Sequence, residues 1–305
     1  MNMPPRVVFM GSPEFALPAL AALAGQYPVV GVVTQPDRPA GRGGQLTPPP
    51  VKLLAVQLGL PVIQPPRLRQ PEAMEQLSRW APELIVVAAF GQILKPEVLD
   101  LPPHGCLNVH ASLLPRGRGA APIQAAILAG DAQSGVTIMK MDPGMDTGDI
   151  LAQRSLPILP ADTAASLSER LAALGAELLI ETLPAYLAGQ AAPRPQDPEL
   201  VTYAPRLKKE DGRLDFLQPA ETLERQVRAF YPWPGAFTAW QGGILKVLRA
   251  HALPEHPAQP GQAAVFQGLP AFGTGRGLLV LDEVQPAGKK PMSGEVFLRG
   301  AREWK

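Results

Sequence analysis

Leu84-Ile85-Val86-Val87-Ala88-Ala89 is an apolar run without a polar break. A strand with one wet face alternates apolar and polar residues. An unbroken run suits a central parallel strand buried on both faces. The flanking sequence agrees. Upstream, Arg6 to Met10 is a short apolar run ending at Gly11, and Ser12-Pro13-Glu14 then carries N-cap, first-turn and helix-dipole signals. A helix with Leu17, Leu20 and Leu23 follows. Val29 to Thr34 reads as the next strand, Lys52 to Leu58 as a helix, Val62 and Ile63 as a short strand, and Glu72 to Trp80 as a helix. Downstream, Cys106 to His110, Val136 to Met141 and Ile150 to Leu156 read as strands. A helix over Ala120 to Leu128 stops at Gly130. A long helix after Asp162 places Leu167, Leu171, Leu174, Leu178 and Leu183 at helical spacing and ends at Gly189. This alternation predicts an α/β fold with a Rossmann-like open, mostly parallel sheet. Ligands of such sheets bind beyond the carboxyl ends of the strands.

The pattern changes after a Pro-rich stretch, Ala191-Ala192-Pro193-Arg194-Pro195-Gln196-Asp197-Pro198. A helix near Ala220 to Ala229 precedes short apolar runs at Leu245–Leu248, Ala263–Phe266, Leu278–Leu281 and Val296–Leu298, separated by Gly and Pro. These read as strands of a smaller C-terminal antiparallel β-barrel, OB-like in spacing. The predicted division is a first domain over 1–189, a linker over 190–209 and a second domain over 210–305.

Composition bounds the function. The chain has 305 residues, 46% apolar and 18% charged, with net charge +1. This is the balance of a globular protein of two domains, not of a disordered one. The single cysteine, Cys106, leaves no intrachain disulfide and fits a reducing cytoplasmic setting. The first apolar run is too short for a signal peptide or a membrane span, so no membrane role is expected. Residues 206–305 hold 14 basic and 10 acidic residues, against 14 and 17 in the rest, which hints at a polyanionic partner. No apolar stripe beyond those needed for the two cores is evident, and a monomer is expected.

Chemistry concentrates in two segments. In Asn108-Val109-His110-Ala111-Ser112-Leu113-Leu114-Pro115, Asn108 and His110 lie two apart on one strand and therefore on one face. In Asp142-Pro143-Gly144-Met145-Asp146-Thr147-Gly148-Asp149, carboxylates sit on a Gly-rich loop after another strand. An amide, an imidazole and a carboxylate suit acyl transfer to an amine. Asn108 and a protonated His110 donate to the oxygen that gains charge in the tetrahedral intermediate. Asp146 orients His110 and helps take the proton of the attacking amine. The plain alternative for Asp142, Asp146 and Asp149 is that of loop acids capping turns, and that reading is kept for Asp149. The turn Gly11-Ser12-Pro13-Glu14 lacks the spaced glycines of a dinucleotide fingerprint, and no Gly-x-Ser-x-Gly elbow occurs. His104, Cys106 and His110 alternate on a strand and supply too few ligands for zinc, so no metal is expected.

The string Asn108 to Pro115, continued through Arg116-Gly117-Arg118-Gly119-Ala120-Ala121-Pro122-Ile123-Gln124, resembles the signature of the folate-dependent formyltransferases. The Asp142 to Asp149 loop resembles their second signature. The resemblance implies that Asn108, His110 and Asp146 are the catalytic set. It implies that Ser112, Leu113, Leu114 and Pro115 contact the folate, and that 10-formyltetrahydrofolate is the co-substrate. Four features bring the chain close to the members that formylate initiator methionyl-tRNA: the Gly119–Gln124 string, the loop Thr34-Gln35-Pro36-Asp37-Arg38-Pro39-Ala40-Gly41-Arg42-Gly43, the Tyr203–Arg213 junction, and Pro232-Trp233-Pro234-Gly235-Ala236. The resemblance implies that Arg38 and Arg42 meet the acceptor end of the tRNA and that the C-terminal domain binds tRNA. Gly117 stands where the family usually has Trp, and Gly43, Gly44 and Gln45 stand where further lysines often appear. The rival readings are formyl transfer to glycinamide ribonucleotide or to a sugar-nucleotide amine, a hydrolase or dehydrogenase half on the same fold, and a non-catalytic tRNA-binding protein.

Overall fold

Val7, Val8, Phe9 and Met10 are wholly shielded from solvent, as are Leu84, Ile85 and Val86, so the opening strand and the central strand are both covered on two faces. The computed structural model describes residues 3–40, 44–301 and 303–304. The first sheet contains β1 (Val7–Gly11), β2 (Val29–Val33), β3 (Val62–Ile63), β4 (Leu84–Ala88), β5 (Cys106–His110), β6 (Gln133–Lys140) and β7 (Ile150–Pro157). Their order across the sheet is β7-β6-β5-β4-β1-β2-β3. The pairings β3–β2, β2–β1, β1–β4 and β4–β5 are parallel. The β5–β6 and β6–β7 pairings are antiparallel. The sequence-based expectation of a mostly parallel open sheet holds, with an antiparallel edge. Strand order reverses between β1 and β4, which makes their carboxyl ends the switch point where such sheets take ligands. Helices follow the strands at Leu17–Gln26, Pro50–Gln57, Pro71–Trp80 and Pro122–Ala129, each opened by a proline in its first turn. Along the helix Ala164–Leu187, Leu167, Leu171, Leu178 and Leu183 are buried, while Leu174 is partly exposed.

The second sheet is antiparallel: β8 (Ala236–Trp240), β9 (Gly243–Leu253), β10 (Ala263–Phe266), β11 (Leu269–Gly273), β12 (Leu278–Pro286) and β13 (Met292–Ser293). Its order is β8-β9-β12-β11-β10, with β13 paired to β12. Its core gathers Leu223, Val227, Leu245, Val247, Leu279, Leu281, Phe297 and Trp304. The indole of Trp304 meets Phe272 and Phe297 edge-on, and its Nε1 donates to the Ala264 carbonyl at 2.7 Å. One expected strand is corrected. Val296–Leu298 lies in a helix, Gly294–Gly300, capped by the Ser293 hydroxyl, which accepts from Val296 N. A three-residue apolar run has no readable period, and the cap decided the outcome.

The chain forms two compact units that are not separated by a single cut. The first holds residues 1–119, 133–157 and 168–203; the second holds 120–132, 158–167 and 204–305. Within the first unit, the stretch after Gly189 is tied back to the sheet. Arg194 exchanges both backbone hydrogen bonds with Ile150 at 2.8 and 2.9 Å. Within the second, the Arg225 guanidinium donates to the Leu128 carbonyl at 3.2 Å. No helix among the described residues is long and apolar enough to cross a membrane.

Candidate active site

The register of β5 fixes the site. Asn108 lies beside Val87 of β4 and Met139 of β6, and His110 lies beside Thr137 of β6. Two residues apart, they share a face, and both are buried, at 9% and 6% exposure. Asp146 reaches them from the loop between β6 and β7. Its Oδ1 is 3.5 Å from Asn108 Nδ2 and 3.6 Å from His110 Nδ1. Its Oδ2 accepts from the Gly119 backbone N–H at 2.8 Å. The structure thus brings the three sequence-predicted residues to one point. The two longer contacts lie at the outer edge of hydrogen bonding, so the carboxylate is near its partners without being locked to them. The other ring nitrogen of His110, Nε2, is 3.0 Å from the Gly117 carbonyl. A carbonyl only accepts, so Nε2 carries the hydrogen. This contact uses the backbone of Gly117 and needs no side chain there.

The loop that carries Asp146 is tightly built. Asp142 accepts from Gly144 N at 3.0 Å and from Thr147 Oγ1 at 2.6 Å, a turn-capping role. Gly148 passes so close to β6 that a Cβ there would lie 1.8 Å from the Lys140 carbonyl oxygen. Asp146 itself has φ +54, a left-handed conformation that a non-glycine residue holds at a cost of about 1 kcal/mol or more.

The segment expected to contact folate is held from beneath. Thr137 Oγ1 donates to the Ser112 carbonyl at 2.7 Å and accepts from Leu114 N at 3.1 Å. Gln153 Nε2 donates to the Leu114 carbonyl at 2.8 Å and to Thr137 Oγ1 at 3.0 Å. The Ser112 hydroxyl donates to the Arg116 carbonyl at 2.6 Å. Leu114 is buried against Met139 and Ile150, and the Leu113 side chain lies over Gly135. Leu113 and Pro115 remain partly exposed. Thr137, a lone polar residue within Val136–Met139, and Gln153, the first of three polar residues in β7, escaped sequence reasoning because neither position carries a spacing signal.

The loop after β2 is anchored at the switch point. Ser12, read from sequence as a helix N-cap, instead accepts from Gln35 N at 3.0 Å. Gln35 Nε2 donates to the Phe90 carbonyl at 3.1 Å. Asp37 accepts from Lys52 Nζ at 2.7 Å and from Gln64 Nε2 at 2.7 Å, and these donors hold its carboxyl below the usual carboxylate range. Arg38 is exposed and donates to Gln35 Oε1 at 3.1 Å, at the start of a ribbon pairing Arg38–Ala40 with Gln45–Thr47. Arg42 lies outside the described residues.

Cys106 shares the face of Asn108 and His110 but sits at the opposite end of β5, with its Sγ 3.7 and 3.9 Å from the Val98 and Leu99 carbonyls. Burial first, and then the charge of Asp100, push its thiol up to about 12. Among the described residues, no cluster of His, Cys, Asp and Glu is placed to hold a metal. A cavity of about 310 Å³ lies beyond β3 and β4, lined by Arg67, Leu68, Met74, Gln92 and Ile93 among others. Asn108, His110 and Asp146 do not line it.

Comparisons with known proteins identify the family. The family described as formyl transferase matches residues 6–183, and its C-terminal domain matches residues 206–302. Methionyl-tRNA formyltransferase of Myxococcus xanthus is 53% identical over 298 residues, spanning 97% of this chain and 95% of that protein. The protein of the same name from Chloroflexus aggregans is 50% identical over 299 residues, spanning 97% of each. The crystal structure of HypX from Aquifex aeolicus in complex with tetrahydrofolic acid superposes with a TM-score of 0.64 at 19% identity. It covers 96% of this chain and 47% of that longer one, a likeness of fold. With both halves matched and half of all residues shared across nearly the full length, the chain belongs to the formyl transferase family.

Proposed function

We propose that this chain transfers the formyl group of 10-formyltetrahydrofolate to the α-amine of initiator methionyl-tRNA. The observation that carries the reading is the convergence of Asn108, His110 and Asp146 at the carboxyl end of β5, with Asp146 Oδ1 3.5 and 3.6 Å from the other two. The close relatives named for this acceptor support it over the ribonucleotide and sugar-nucleotide readings. The folate supplies an activated formyl carbon, and the chain's residues do the rest. Asn108 donates an amide N–H toward the formyl oxygen as it gains charge. Asp146, facing Nδ1 of the buried His110, draws the proton from the amine as the new C–N bond forms. The bond between the formyl carbon and N10 of the folate then breaks, N10 takes up a proton relayed by His110, and tetrahydrofolate leaves. Holding amine and formyl carbon at attack distance contributes a large part of the rate. Ser112 to Pro115 present main chain and the partly exposed Leu113 and Pro115 to the folate. Arg38 and Arg42 meet the phosphates at the acceptor end. The same reading divides the chain into a catalytic domain over 1–189, a linker over 190–209 and a tRNA-binding domain over 210–305, acting as a cytoplasmic monomer.

Tetrahydrofolate release tests it, with initiator methionyl-tRNA, elongator methionyl-tRNA, glycinamide ribonucleotide and no acceptor compared side by side. Release that depends on the initiator tRNA is expected. Equal release with water alone, or with the ribonucleotide, would replace the acceptor assignment.

A further inference from the structure

Gln196 lies in the Pro-rich stretch that returns along β7, and it is the one residue between 192 and 200 that is not exposed. Its side chain is fully employed. Arg118 Nε and Nη2 both donate to Gln196 Oε1, at 3.0 and 2.8 Å. Gln196 Nε2 donates to the carbonyls of Asp146 and Gly148, both at 2.8 Å. The amide orientation follows from its neighbours: two guanidinium donors require the oxygen on one side, and two carbonyls require the NH₂ on the other. Arg118 is 8% exposed, and no carboxylate pairs with it among the described residues. A buried cation on the amide oxygen polarises the N–H bonds on the far side and strengthens both donations.

Those two carbonyls belong to Asp146 itself, left-handed at φ +54, and to Gly148 two residues on. On the carboxylate side, the short hold is the N–H of Gly119 at 2.8 Å, next in sequence to Arg118, beside the longer 3.5 Å contact from Asn108 Nδ2. Asp146 therefore depends on Arg118-Gly119 twice, once directly and once through Gln196. The backbone of the same returning stretch continues the arrangement. Arg118 N donates to the Thr202 carbonyl at 2.9 Å, and Gly117 N donates to Thr202 Oγ1 at 2.8 Å. Gly117 is the residue whose carbonyl meets His110 Nε2.

We infer that Gln196, backed by Arg118, is a positioning residue for formyl transfer, holding the Asp146 turn so that its carboxylate faces Asn108 and His110. The inference rests on the reading of Asp146 as catalytic. It acts through Asp146 and touches no reacting atom. Displacement of a catalytic group by about 1 Å costs up to about a hundredfold in rate.

The test compares Gln196→Met, which keeps length and loses all four hydrogen bonds, with Gln196→Glu. The glutamate strengthens the Arg118 contact but turns acceptor oxygens toward two carbonyls. In both variants kcat is expected to fall by about ten- to a hundredfold. The KM for folate and for methionyl-tRNA should stay within about threefold, as for an interaction made only in the transition state. The Tm should fall by several degrees in the methionine variant, which leaves the buried Arg118 and two carbonyls without their partner, so the kinetics are read on folded protein well below the transition. In an Asp146→Asn background, followed by labelled formyl transfer, Gln196→Met should add no further loss, because both changes act at one point. A folded Gln196→Met with kcat within about twofold of the parent overturns the inference. So does a loss of the same size in the Asp146→Asn background. Should Gln196→Glu fail to fold, the methionine variant alone decides. Asp146→Asn with near-parent turnover would instead remove Asp146 from the mechanism, a failure of the underlying reading that the same data distinguish.

Discussion

Asp146 divides its carboxylate between two elements: Oδ1 faces His110 Nδ1 at 3.6 Å, and Oδ2 accepts from Gly119 N at 2.8 Å. One oxygen anchors the group, and the other is left facing the imidazole. Asp146→Asn keeps the size of the group and removes the charge. Turnover is expected to fall by about 10²- to 10⁴-fold, the usual weight of acid–base assistance, while equilibrium binding of folate changes by less than about threefold. Steady-state kinetics beside fluorescence titration of the folate separate the two effects.

The Asp37–Lys52 pair anchors the loop after β2 and predicts a pH response. The Asp37 carboxyl is held below its ordinary 3.8, first by hydrogen bonds from Lys52 and Gln64 and then by the Lys52 charge. A depressed folded-state pKa contributes stability above the unfolded value, and that contribution is lost as pH falls through the folded one. The loop anchor should therefore be intact from neutral pH down to about pH 4 and fail below it. Carbon NMR of the carboxyl should give a midpoint under 3.8, and Lys52→Met should raise it. An unchanged midpoint in that variant would show that the pair does not set the charge state.

Arg38 is exposed, and among the described residues its partner is the neutral Gln35; Arg42 lies four residues further along the sequence. Arg38→Ala and Arg42→Ala should each raise the KM for methionyl-tRNA by about five- to tenfold at low salt, with kcat little changed, and each should lower the salt dependence of binding by about one phosphate contact. Salt titrations of tRNA binding measure this directly. A fall in kcat alone would assign the arginines elsewhere.

Cys106 is shielded to 1% exposure, and its thiol is pushed up to about 12. The thiolate is the reactive form, so the native protein should be inert to thiol reagents at pH 8 and should yield one equivalent only after unfolding. Rapid native labelling would show that β5 opens more readily than its burial implies.

Much of this was legible in sequence, for physical reasons that differ between residues. The unbroken run at Leu84–Ala88 and the pairing of Asn108 with His110 obey strand periodicity, which local sequence reports. Asp146 was legible because its Gly-rich loop stands between two readable strands. Gln196 was not, because it reaches Asp146 across 50 residues from a stretch whose prolines signal only irregular chain. Ser12 misled for a related reason: the residue type suits a helix cap, but Gln35 N, from a different strand end, claimed its hydroxyl. Val296–Leu298 showed the limit of short apolar runs, where a serine cap and one buried face at Phe297 outweighed β propensity.

The central claim is tested most directly by single-turnover formyl transfer from labelled 10-formyltetrahydrofolate to initiator methionyl-tRNA. The parent chain is compared with Asn108→Ala, His110→Ala and Asp146→Ala, with folate binding measured on the same samples. Formylmethionyl-tRNA should form rapidly with the parent and at least about a hundredfold more slowly with each variant, while all four still bind folate. Near-parent rates in the three folded variants would contradict the account and move the chemistry away from the Asn108–His110–Asp146 site.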